Sequence, residues 1–173
     1  MKIVLLIFGT LIAIIVIALA IGAMLPVKHF ATRSAIYHQP PDAIWQAITD
    51  YQKFPAWRPT VKRVEPLPPV NGLPAWRETD AHGSVLPMEI IESNQPVRLV
   101  TRITDPKLPF GGTWIYEITP ASGGCRLRIT ENGEIYDIFF RFVSRFIIGY
   151  HGTMDTYLRT LGQKFGETVN LEN

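Results

Sequence analysis

From Ile3 to Leu25 the chain runs 23 residues without a charged side chain, and Pro26 follows at once. Few structures suit such a run, because backbone groups away from water must bond to one another, as a helix allows. At about 1.5 Å per residue the stretch reaches roughly 35 Å, enough to cross a hydrocarbon core of about 30 Å. Residues 1–27 are therefore read as an uncleaved N-terminal membrane anchor. The rival is a cleaved signal peptide, with Lys2 as its charged start and Ala18-Leu19-Ala20 imitating a cleavage site. Against it, the apolar run exceeds a signal core of about 7–15 residues and continues through the would-be site. Lys2 and the α-amino group on one flank nearly balance Lys28 and Arg33 on the other. The positive-inside rule thus leaves the side of the membrane open.

The remainder has room for one domain, residues 28–168, followed by a short tail, 169–173. It keeps all but Lys2 of the 17 basic residues and all 15 acidic ones, so it is close to neutral. No basic run or arginine stripe occurs, which argues against nucleic acid as a partner. The single cysteine, Cys125, excludes an intramolecular disulfide framework and a Cys-rich zinc site. His29, His38, His82 and His151 are scattered without ligand spacing, so no metal and no cofactor is expected. No nucleophile elbow, phosphate loop or dinucleotide fingerprint is present, and Gly111-Gly112 reads as a turn entering a strand.

Patterning divides the domain into strands and helices. Residues 28–38 read as a strand, with Phe30, Thr32, Ser34 and Ile36 on one face. Gln39-Pro40-Pro41-Asp42 then opens a helix carrying Ile44, Ala47, Ile48 and Tyr51, and Phe54-Pro55-Ala56-Trp57 forms a second short turn. Strands follow at about 60–65, 74–80, 84–92, 97–104, 112–119 and 124–135, separated by proline, glycine and asparagine turns. The links are too short for crossover helices, so an antiparallel sheet of about seven strands is expected. From Asp137 to Glu167 the period changes to that of one long helix, with Gly149 and Gly152 as a possible bend. Its stripe is Ile138, Phe142, Phe146, Tyr150, Met154, Tyr157, Leu161 and Phe165. The fold class is α+β, a sheet wrapped around a terminal helix.

This order of elements resembles the helix-grip fold of the START-like (SRPBCC) superfamily, which includes polyketide cyclase/dehydrase and lipid transport proteins. The likeness runs from about residue 28 to 167. It rests on Asp50 to Trp57 leading into Val61-Lys62-Arg63-Val64, on Gly111 to Glu117, on Arg128 to Ile135, and on Tyr157-Leu158-x-x-Leu161. The resemblance implies an apolar cavity between sheet and helix, used for lipids, polyketides, hormones or quinones. It implies no shared catalytic motif.

Strand alternation nominates the cavity wall. Leu86, Met88 and Ile90 oppose Glu89; Leu99, Thr101 and Ile103 oppose Arg98 and Arg102. Trp114, Tyr116 and Ile118 oppose Thr113 and Glu117, and Leu127 and Ile129 oppose Arg126 and Arg128. Phe146, Tyr150 and Met154 would face them from the helix. Any of these side chains could instead simply fill a core. Glu131 shares the parity of Ile129: an unbroken strand turns its carboxylate inward, whereas a bulge at Asn132-Gly133 leaves it at the rim beside an arginine.

The first half of the long helix is apolar nearly all round. Phe139, Phe140, Val143, Ile147 and Ile148 need cover, from loops or from the bilayer, with Arg141 and Arg145 at headgroup level in the second case. These features favour a membrane-tethered binder or carrier of a hydrophobic small molecule or lipid, and name no protein partner. A cyclase- or dehydrase-type enzyme would need convergent polar groups in the cavity, such as a buried Glu131 beside Tyr or His. A non-catalytic interaction module would have its cavity filled.

Overall fold

The computed structural model describes residues 2–173. The apolar run forms one helix, α1 (Lys2–Met24), long and apolar enough to span a bilayer and exposed along nearly all its length. Of its residues only Ala18 and Gly22 are buried. The chain then enters β1 (Lys28–Tyr37) and α2 (Pro41–Thr49), whose Ile44, Trp45, Ala47 and Ile48 are buried. Pro40 occupies the position before α2 with no side-chain cap. Asp42 lies instead in the first turn, where the helix dipole favours a carboxylate. A 3-10 turn, Tyr51–Ala56, buries Phe54.

Six strands follow: β2 (Arg63–Val70), β3 (Leu73–Thr79), β4 (Val85–Asn94), β5 (Arg98–Ile103), β6 (Phe110–Ala121) and β7 (Gly124–Ile135). The chain ends in α3 (Ile138–Val143), a π-helical turn (Ser144–Ile148), α4 (Gly152–Lys164) and β8 (Leu171–Glu172). One antiparallel sheet runs in the order β2-β3-β4-β5-β6-β7-β1-β8. On its inner face α4 buries Met154, Tyr157, Leu158 and Leu161 against Ala35, Tyr37, Leu127 and Ile129. The Tyr37 hydroxyl donates to the Leu158 carbonyl at 2.9 Å, tying helix to strand. On the outer face, arginines and glutamates pair across strands, as Arg98 does with Glu92 and Glu117.

Three elements depart from expectation. β2 continues through Pro66, Pro68 and Pro69 where a stop is expected; it is an edge strand, and proline's missing N–H costs nothing on the unpaired side. The tail is not free: Leu171 and Glu172 pair with Ala35 and Ser34 as the opposite edge. The single long helix is broken, because the Gly149 N–H bonds back five residues to the Ser144 carbonyl at 2.9 Å, and Gly149 then turns the chain at φ +78°. A π turn holds more residues than an α turn, so the apolar stripe slips out of phase there.

Candidate ligand cavity

Between the inner face of the sheet and the C-terminal helices lies a cavity of about 290 Å³. Because residues opposite one another in an antiparallel pair share a face, the register fixes its wall. Trp76 faces Met88, which faces Ile103; Thr101 faces Trp114, which faces Glu131. All six line the cavity, and Phe110, Ile135, Phe140 and Ile148 line its end nearest α1.

Of the side chains expected at the wall, Met88, Ile103, Trp114, Tyr116, Glu131 and Tyr150 line the cavity. Ile90, Leu99, Ile129 and Met154 do not; they lie in the packed core beside it. Phe146 is 59% exposed and points away, because the π turn shifts its phase relative to Tyr150. On the segment expected to meet lipid, Phe139 and Arg145 are exposed, whereas Phe140 is half-buried and lines the cavity. Arg141 turns back into the protein: its Nη1 donates to the Leu25 carbonyl at 2.9 Å, capping the end of α1 rather than reaching outward.

Two polar groups, besides Glu134, interrupt the apolar wall. β7 runs unbroken through Gly133, so Glu131 points inward, and its partner is a histidine rather than an arginine. Glu131 Oε1 lies 3.2 Å from His29 Nε2. The His29 ring stacks on Tyr150 at 4.1 Å between centroids and 15° between planes. It occupies the place of a side chain at Gly133, where an added Cβ would fall 2.2 Å from His29 Cε1. Its other ring nitrogen, Nδ1, is buried with no hydrogen-bond partner.

The second group closes the inner end. Glu78 Oε1 accepts from Arg58 Nη1 at 2.8 Å and from Trp76 Nε1 at 3.0 Å. The guanidinium also lies over the rings of Phe54 and Tyr157, at 4.7 and 5.3 Å. Burial opposes its charge, but Glu78, helped by the phenols of Tyr157 and Tyr116, holds its pKa above the usual value. Burial pushes the Tyr116 phenol up to about 12, with Arg58 opposing, and raises Tyr157 well above its ordinary value. Both phenols are therefore neutral donors at physiological pH. The hydroxyls of Tyr157 and Thr101 are buried without a partner, and Thr101 lines the cavity. Among the described residues no three His, Cys, Asp or Glu side chains converge as a metal site would require.

Sequence reasoning missed His29, Arg58 and Glu78. Parity carried a signal for two of them. Glu78 shares the inward face with Trp76, and His29 lies on the face of β1 opposite Phe30 and Thr32. Arg58 follows a 3-10 turn, where no periodicity tells which way a side chain points.

Comparison with known proteins agrees with this architecture. Among solved structures, the chain is similar to a START superfamily protein from Mycobacterium smegmatis, at TM-score 0.63 and 15% identity over 79% of this chain and 96% of that one. It is also similar to norcoclaurine synthase from Thalictrum flavum, at TM-score 0.62 and 12% identity over 85% and 91%. The di-domain ARO/CYC StfQ of the steffimycin biosynthetic pathway matches at TM-score 0.62 and 16% identity over 78% of this chain, which spans 50% of StfQ. At such identities the likeness is one of fold. No curated protein matches the sequence. The family model for polyketide cyclase / dehydrase and lipid transport matches residues 29–165, nearly the whole domain, and the chain belongs to that family.

Proposed function

We propose that the protein is a membrane-tethered receptor or carrier for a hydrophobic small molecule or lipid, held between the sheet and the C-terminal helices. The observation that carries this reading is the cavity: about 290 Å³, walled by Trp76, Met88, Ile103, Trp114 and Ile135. That volume is near the lower end of small-molecule sites, about 300–1,000 Å³, and it speaks against a module whose interior is filled by its own side chains. Arg58 and Glu78 neutralise each other at the inner end, so the favoured ligand has an apolar body and an uncharged hydrogen-bonding end. A carboxylate placed there would face Glu78 as well as Arg58.

Probe binding tests the site. Met88→Trp fills the cavity and Trp114→Arg places a charge in it, so each should weaken binding of a fluorescent fatty alcohol or quinone while far-UV circular dichroism stays native. Unchanged binding in folded variants would put the ligand elsewhere.

One observation favours a second reading, an enzyme of the cyclase or dehydrase type. Glu131 beside His29 is a proton-transfer pair within an apolar cavity, the arrangement general acid–base chemistry needs. His29→Gln separates the two: a carrier keeps its ligand and its function, whereas an enzyme binds but no longer turns over.

A further inference from the structure

One end of the cavity and α1 share one structural element. Phe140, Ser144 and Ile148, which line the cavity, belong to α3 and the π turn, and α3 is packed against α1. The contact is close: a Cβ at Gly22 would fall 2.2 Å from the Ile138 carbonyl oxygen, and Arg141 bonds Leu25. Ile135, at the same end of the cavity, donates its N–H to the Val27 carbonyl at 2.9 Å. Ala18 and Gly22, the buried positions of α1, fall in its last two turns. Met24 lies six helical steps beyond Ala18, about 9 Å of helix, which matches the depth of about 5–10 Å at which interfacial helices lie.

Apolar side chains of this segment are uncovered. Phe139 is 48% exposed, Phe146 59%, Ile147 71% and Ile148 60%, with Arg145 exposed among them. We infer that α3 and the π turn are embedded in the interface of the bilayer that holds α1, forming a portal through which an apolar ligand passes between the lipid phase and the cavity. The inference rests on the tethered-receptor reading. It adds where the ligand comes from: its substrate is a bilayer-resident molecule, taken sideways from the leaflet without crossing water.

The full-length protein in phosphatidylcholine vesicles tests both parts. A fluorescent reporter on Ile147→Cys should be quenched by lipids carrying a nitroxide near the headgroup and shielded from aqueous iodide. The same reporter on Glu92→Cys, on the outer face of β4, should respond to iodide alone. Equal access of iodide to both positions would overturn the portal. Phe146→Ser combined with Ile147→Ser leaves the cavity wall intact, since neither residue lines it. It should slow uptake of a vesicle-dissolved fluorescent fatty alcohol by about tenfold, a barrier increase of about 1.4 kcal/mol, with micellar affinity unchanged. Wild-type uptake in that variant would equally defeat the proposal. If the unaltered protein binds no probe even in micelles, the receptor reading is what fails, and the reporter depth still decides whether the segment is embedded.

Discussion

Glu78 and Arg58 show how much a single residue can carry here. Each is compensated by the other in a nearly dry site, so removing one leaves a buried charge without its partner. Glu78→Leu should destabilise the domain by about 3–5 kcal/mol in urea unfolding, and Arg58→Met added to it should restore part of the loss. A double variant worse than the single one would show that the pair's coupling is small. The phenols make a pH prediction. Tyr116 ionises near 10 when unfolded and only at about 12 when folded, so its contribution is complete below pH 10 and lost as pH climbs toward 12. Tyr157 and Tyr37, raised by burial, act in the same direction. Phenolate absorbance should thus rise in two stages, the second coinciding with loss of circular dichroism. A single rise of all six tyrosines near pH 10 with the fold intact would contradict the buried network.

At the scale of elements, the π turn and Gly149 divide what would be one helix into a segment facing α1 and a helix gripping the sheet. Gly149 sits at φ +78° and ψ 171°, a region open to glycine almost alone. Gly149→Ala should cost about 1–3 kcal/mol. Gly152→Ala, in the first turn of α4 with nothing near its Cβ, should be neutral or stabilise by up to about 1 kcal/mol. Equal thermal shifts for the two variants would mean the break is not set by Gly149. The same elements mark the limit of what the sequence discloses. Alternation of period two was legible wherever one face is buried and the other solvated, as from Leu99 to Ile103 and from Trp114 to Ile118. It was silent where the deciding contact is remote: the prolines of β2 are tolerated because no strand lies beyond, and β8 exists because β1 has a free edge. The period of α3 to α4 misled at Phe146, since one added residue in a turn leaves no mark in an apolar run. Met88, Ile103, Trp114 and Tyr116 share the inward parity read from the sequence and line the cavity, but depth along the strand, which separates wall from packed core at Leu99 and Ile129, depends on where α4 lies.

For the whole molecule, the domain's core begins at Ala31 and includes no residue of α1, so a chain lacking residues 1–27 should fold, with an unfolding midpoint lowered by the loss of the Arg141–Leu25 and Ile135–Val27 hydrogen bonds. It should still bind liposomes through Phe139, Phe146 and Ile147. A product that is folded yet ignores liposomes would leave α1 as the sole membrane contact. The ligand proposed for the cavity is an apolar molecule with an uncharged polar end. Native mass spectrometry of the full-length protein, purified from its native source in mild detergent, is the decisive test. A stoichiometric adduct is expected, extractable into organic solvent and absent from Trp114→Arg. An adduct-free spectrum from gently extracted protein, or an adduct retained unchanged by Trp114→Arg, would contradict it.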